Sequence, residues 1–235
     1  MKIPHKLLYA TGISLWLSST ALFAGDLTAT QIAKNAYDYL DTQDSYAFNA
    51  IVINKLDDVD DKKSHFVTVK VDRPGKVRID VTGDIKDRST YLNDGKFTMI
   101  DYDMQYYGQL DTPKEINKAL DFIFEKFDIR APLAQLLYSD MGEKVKFSKS
   151  KNFGVVNLAG TECNYIAFED NEKVVHVWIA TGDKPLVKHY AIMNKLEHSR
   201  NDTTIRWDGV RAPKKADFVF KAPSNAEKIT VEAGQ

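Results

Sequence analysis

The sequence predicts an α+β protein built on a long antiparallel meander. Apolar residues recur at a spacing of two over most of the chain, whereas helical spacing is confined to the N-terminus and one central stretch. Turn-forming segments, Arg73-Pro74-Gly75, Asn93-Asp94-Gly95 and Gly182 to Pro185, separate successive strand-like runs. Strands joined in this way pair antiparallel.

The chain has 235 residues, and its first 24 read as a secretory signal. Lys2, His5 and Lys6 supply a basic start, an apolar stretch runs from Leu7 to Leu17, and small residues mark cleavage after Ala21 or Ala24. That stretch is too short to span ~30 Å of hydrocarbon. No other run approaches membrane length, so an exported, soluble chain without a transmembrane segment after cleavage is expected. No Cys follows either cleavage site, so no lipidated N-terminus is expected. Residues 25–235 then form one expected domain.

With 43% hydrophobic and 28% charged residues, the composition excludes collagen and extensive disorder. The formal charge is −1, and loss of Lys2 and Lys6 makes it −3. A mildly acidic chain has no electrostatic footprint for nucleic acid. Cys163 is the only cysteine, so no internal disulfide forms, and its strand-like setting predicts a buried apolar role.

Thr28 and Gln31 form a predicted capping box, followed by Ile32, Ala33, Ala36, Tyr37 and Leu40 at helical spacing. From Tyr46 the period becomes two: Tyr46–Ile53, His65–Val71, Val77–Val81, Arg88–Leu92, Phe97–Ile100 and Gln105–Gly108 read as about six strands. Thr112, Pro113 and Glu115 predict the start of a second helix carrying Ile116, Leu120, Ile123, Phe124 and Phe127. A short third helix is expected near Pro132, with Leu133, Leu136 and Leu137. Strands return at Val145–Phe147, Val155–Leu158, Cys163–Phe168, Val174–Ala180, Leu186–Met193, Thr203–Trp207 and Phe218–Phe220.

Searches for catalytic motifs fail: there is no nucleophile elbow, phosphate loop or H-E-x-x-H helix, and no cysteine pair for zinc. No cofactor is expected. Among His65, His176, His189 and His198, only His176 and His189 fall in neighbouring strands, where a metal or acid/base role competes with plain polar positions on a sheet face. Asp57, Asp58, Asp60 and Asp61 offer oxygens for Ca²⁺, but Lys62 and Lys63 adjoin them and a solvated turn is expected.

The aromatic residues carry more. Strands Tyr46–Ile53 and Val174–Ala180 are apolar at both parities, so they are covered on both faces or line a cavity for an apolar ligand. The expected lining is Tyr46, Phe48, Val77, Ile79, Tyr91, Phe97, Met99, Phe168, Trp178 and Tyr190, with ordinary core as the competing reading. Ile116, Leu120, Ile123, Phe124, Leu133 and Leu136 are the expected lid residues.

Several motifs share one order with a known group. These are Arg73-Pro74, Tyr91 to Asp94-Gly95 before Phe97, Ala131 to Ala134, Gly160 to Cys163 and Ala167-Phe168, Val177 to Ile179, and Gly182-Asp183 before Pro185-Leu186. Over residues 28–222 the chain resembles a family of predicted periplasmic proteins related in fold to the lipoprotein carrier LolA and receptor LolB. The resemblance implies an incomplete antiparallel β-barrel of about eleven strands, with helices covering the concave face. It also implies a location in a Gram-negative periplasm and a non-enzymatic role, holding a lipid or lipoprotein acyl chain in the concavity. Two other readings stand beside it: an envelope protein-interaction or sensor module, and a hydrolase using His176 or His189 with a nearby carboxylate.

Overall fold

Twelve strands form one sheet in a computed structural model that describes residues 27–56, 59–84, 86–144 and 147–233. The predicted signal segment, Asp57, Asp58 and Val145 lie outside the described residues. Helix α1 (Ala29–Asp41) starts at the predicted box: the Gln31 N–H donates to the Thr28 hydroxyl and the Gln31 side chain accepts from the Thr28 N–H. It buries Ile32, Ala36 and Leu40.

Strands β1 (Ser45–Leu56) and β2 (Val59–Asp72) pair along their full length. The meander continues through β3 (Lys76–Gly83), β4 (Arg88–Asn93), β5 (Lys96–Asp101) and β6 (Tyr106–Asp111). After the helical middle come β7 (Lys149–Leu158), β8 (Thr161–Glu169), β9 (Lys173–Ala180), β10 (Val187–Asn194) and β11 (Ser199–Arg206). The two meanders join at β1 and β11, and β12 (Glu227–Ile229) adds to β6, the one parallel pairing. The order β12-β6-β5-β4-β3-β2-β1-β11-β10-β9-β8-β7 does not close. It is an open barrel, and β12 is one strand more than the resemblance implies.

Alternation assigns the two faces. Phe48, Val67, Val69, Ile79, Ile166 and Ile179 point into the concave core, with which α1 and helix α2 (Ile116–Phe127) pack. The opposite face carries Arg78, Asp80, Tyr165 and Asp202. Over β3 to β6 a C-terminal strap covers it. Phe220 packs on Tyr91 and Tyr107, and Asp217 meets Lys70 at 3.4 Å and the Arg211 guanidinium.

Four expectations need correction. Phe147, expected to end a strand begun at Val145, precedes β7, which starts only at Lys149. Helix α2 begins three residues after Pro113, not at it, because the Ile116 N–H donates to the Pro74 carbonyl rather than back to Thr112. No helix starts at Pro132: Leu133 has φ of 57°, which breaks the right-handed spiral and leaves one tight turn at Ala134–Leu136. A single turn, α3 (Met141–Lys144), follows it. Phe218–Phe220 is no strand, since Lys215–Phe218 coils to drop Phe218 against the sheet.

Candidate functional site

The hollow of the sheet is divided by its own chain. Residues 128–140 leave α2 through Asp128, whose φ is 52°, and cross the middle of the concave face as a plug. The Tyr46 hydroxyl donates to the Leu136 carbonyl at 2.6 Å, and Arg73 donates to the Leu137 carbonyl at 3.1 Å. Burial pushes the Tyr46 phenol up to about 12, although the adjacent Arg73 charge acts the other way. On its other flank the plug meets α2: Asn117 and Ser139 exchange hydrogen bonds of 2.9 and 3.2 Å, and the Tyr138 hydroxyl donates to Asp121 at 2.7 Å. Two left-handed residues, Asp128 and Leu133, thus turn the chain before the stretch 136–139, which a handful of polar contacts hold.

A cavity lies on each side of the plug. The first, about 200 Å³, lies between α1, the plug and β8 to β10; Ala33, Tyr37, Leu136, Phe168, Val177, Ile179 and Tyr190 are in its wall. The second, about 250 Å³, lies between α2 and β3 to β5, against Val77, Ile79, Leu92, Phe97, Met99, Leu120 and Ile123. Its charged residues are Arg88, Asp128 and Arg130, and Arg130 stacks over Phe124 at 4.5 Å. Arg88 is paired with Asp101 at 3.3 Å.

The residues singled out from sequence divide accordingly. Phe168 and Tyr190 face the first cavity; Val77, Ile79, Phe97 and Met99 face the second. Tyr46 and Phe48 lie beneath the plug in closed core, with the Trp207 ring tilted against both. Trp178 and Tyr91, expected in the lining, belong to the opposite face: Trp178 stacks on Tyr165 at 4.5 Å, and Tyr91 packs under the strap. Of the lid set, Leu120 and Ile123 face the second cavity and Leu136 the first, whereas Ile116 and Leu133 are core. Phe124 points outward. Sequence reasoning missed Ala33 and Tyr37 of α1 and Val175, Val177, Ile179, Val187 and Ile192. The odd parity of β9 was the available signal, but the large Trp178 at even parity obscured it.

His176 and His189 do meet through aromatic neighbours, but on the convex face. The Tyr165 hydroxyl lies 2.7 Å from His176 Nδ1, and Trp178 meets His189 edge-on at 4.9 Å. His189 Nε2 is 3.7 Å from Asp202, beyond hydrogen-bond length, and Arg200 already donates twice to that carboxylate, at 2.7 and 2.8 Å. Desolvation lowers both imidazoles below their ordinary pKa, and neither borders a cavity described above. Cys163 is buried on the same face, which pushes its thiol up. No three His, Cys, Asp or Glu side chains converge as metal ligands among the described residues.

An open antiparallel sheet curled around helices, with a plugged apolar hollow, defines an open half-barrel. The chain belongs to the family of predicted periplasmic proteins DUF2092, whose model matches residues 29–232. Its destination is accordingly the periplasm, and no described helix is long and apolar enough to cross a membrane. A similar fold occurs in an uncharacterized conserved protein of Thermus thermophilus, 9% identical, with a TM-score of 0.51 covering 86% of this chain and 98% of that one. The lipoprotein LppX of Mycobacterium tuberculosis is 10% identical, with a TM-score of 0.47 over 78% of this chain and 97% of that one. A LolA-superfamily protein of Nitrosomonas europaea is also 10% identical, with a TM-score of 0.40 over 83% and 98%. No curated protein matches the chain.

Proposed function

We propose that the protein is a non-enzymatic periplasmic carrier that shelters a lipid or lipoprotein acyl chain in its concave face, with residues 128–140 as the gate. The observation that carries this reading is the pair of apolar cavities, about 200 and 250 Å³, kept open beside an otherwise filled core. Each exceeds the ~150 Å³ at which an apolar cavity admits a benzene-sized guest, and each falls short of the ~300 Å³ of a drug-sized site. One short aliphatic segment therefore fits with the plug in place, and a longer chain needs the plug displaced. Each buried methylene contributes ~0.8 kcal/mol, so eight give about 6 kcal/mol, firm enough to hold and weak enough to hand over. Native mass spectrometry of protein purified without detergent, with uptake of the neutral dye Nile red, tests the proposal. Co-purifying lipid or saturable uptake supports it; a ligand-free protein that takes up no dye overturns it.

A second reading has its own observation. Among the described residues no strap crosses the convex face over β7 to β10 and no strand pairs with the outer edge of β7, beside which Phe153, Tyr165 and Trp178 stand in a stacked row. Half-exposed aromatic rings and an unpaired edge suit an envelope partner protein. Capture of a partner by the wild-type chain but not by Trp178→Ala would favour this use over carriage.

A further inference from the structure

The first cavity is chemically lopsided. Strand β9 forms part of its wall, with Lys173, Val175, Val177 and Ile179 alternating onto the concave side. Exposure falls along that row, from half-buried at Lys173 to 1% at Ile179. Lys173 is the single charged side chain in the wall. Its ammonium lies 5.9 Å from the centre of the Phe147 ring, another wall residue, and forms no ion pair among the described residues. Its lysine neighbours differ, since Lys149 and Lys195 both reach Glu169. Asp170 feels the Lys173 charge, but its carboxylate accepts the Glu172 and Lys173 backbone N–H groups.

A lone cation at the shallow end of an apolar slot is poorly matched to a wholly neutral guest. It matches an amphiphile whose anionic head meets the ammonium while its tail runs toward Ile179. We propose that this cavity binds a single-chain amphiphile with an anionic head, with Lys173 as the head-group contact. The assignment rests on the carrier reading above and deepens it by naming the ligand class.

Isothermal titration of the protein with dodecanoate, dodecyl phosphate, dodecanol and dodecyltrimethylammonium tests it. An anionic ligand should bind about tenfold tighter than dodecanol, the size of one charge-assisted hydrogen bond. Lys173→Gln should erase that preference without weakening dodecanol, and Lys173→Arg should keep it. The tighter of the two anions identifies the head as carboxylate or phosphate. Equal affinity for all heads, or a preference that survives Lys173→Gln, overturns the anionic-head assignment and leaves the carrier reading intact. A folded chain that binds none of the four overturns both.

Discussion

At the scale of single residues, Asp217 shows how one buried acid ties the strap to the sheet. Burial alone would raise its pKa, but hydrogen bonds from Arg211 and the Lys214 N–H, with the charges of Lys70 and Arg211, outweigh that and hold it at about 2. The unfolded value is near 3.9, so the folded state is favoured fully above about pH 4, and the contribution fades as pH falls toward 2. The shift corresponds to about 2–3 kcal/mol. Urea unfolding between pH 5 and 2 should therefore show a steeper acid loss in the wild type than in Asp217→Asn, which is the weaker of the two at pH 5. The tie to the sheet was not legible in sequence, because Lys70 lies far from Asp217 in the chain. The Thr28 and Gln31 box was legible, because both partners lie within one turn.

At the scale of elements, the plug matters most. Leu136 closes the first cavity with its side chain, while its carbonyl is held by Tyr46. Leu136→Ala should cost ~2–5 kcal/mol in unfolding free energy, as buried leucine truncations do. The same variant should take up more Nile red per molecule, because the carbonyl anchor stays and the wall recedes. Lower stability with no gain in uptake would separate the plug from ligand access. Strands were readable wherever one face was polar, as in β3. In β9 both parities are apolar, because one faces the cavity and the other joins the aromatic row, so the periodicity could not say which residues point inward. The start of α2 was misplaced for another reason: Thr112 offers a local cap, but the Ile116 N–H, which would close the first turn on the Thr112 carbonyl, donates to the distant Pro74 instead.

At the scale of the whole molecule, the two halves of the sheet are finished differently on the outside. Over β3 to β6 the strap seals the convex face with Phe218, which is 1% exposed, and with Phe220; over β7 to β10 the aromatic row stays half-open. Phe218→Ala should lower unfolding free energy by about 3 kcal/mol or more, measured by urea titration. It should also raise binding of a hydrophobic dye to the outer surface, an effect that blocking the inner cavities with ligand leaves unchanged. The α+β class and the meander were legible from turn spacing. The strap was not, since 207–226 has little periodic pattern and its place depends on distant partners.

The seam between the two meanders also constrains how the chain acquires its shape. Asn54 on β1 bonds Asn201 on β11, 147 positions later. Every other antiparallel pairing of the sheet joins strands that follow one another in sequence or flank a short turn. As the polypeptide emerges N-terminus first, β1 to β6 can zip by local contacts while the far side of β1 waits unsatisfied for a partner not yet delivered. The second meander supplies that partner, and until it does the free side of β1 is open to wrong partners.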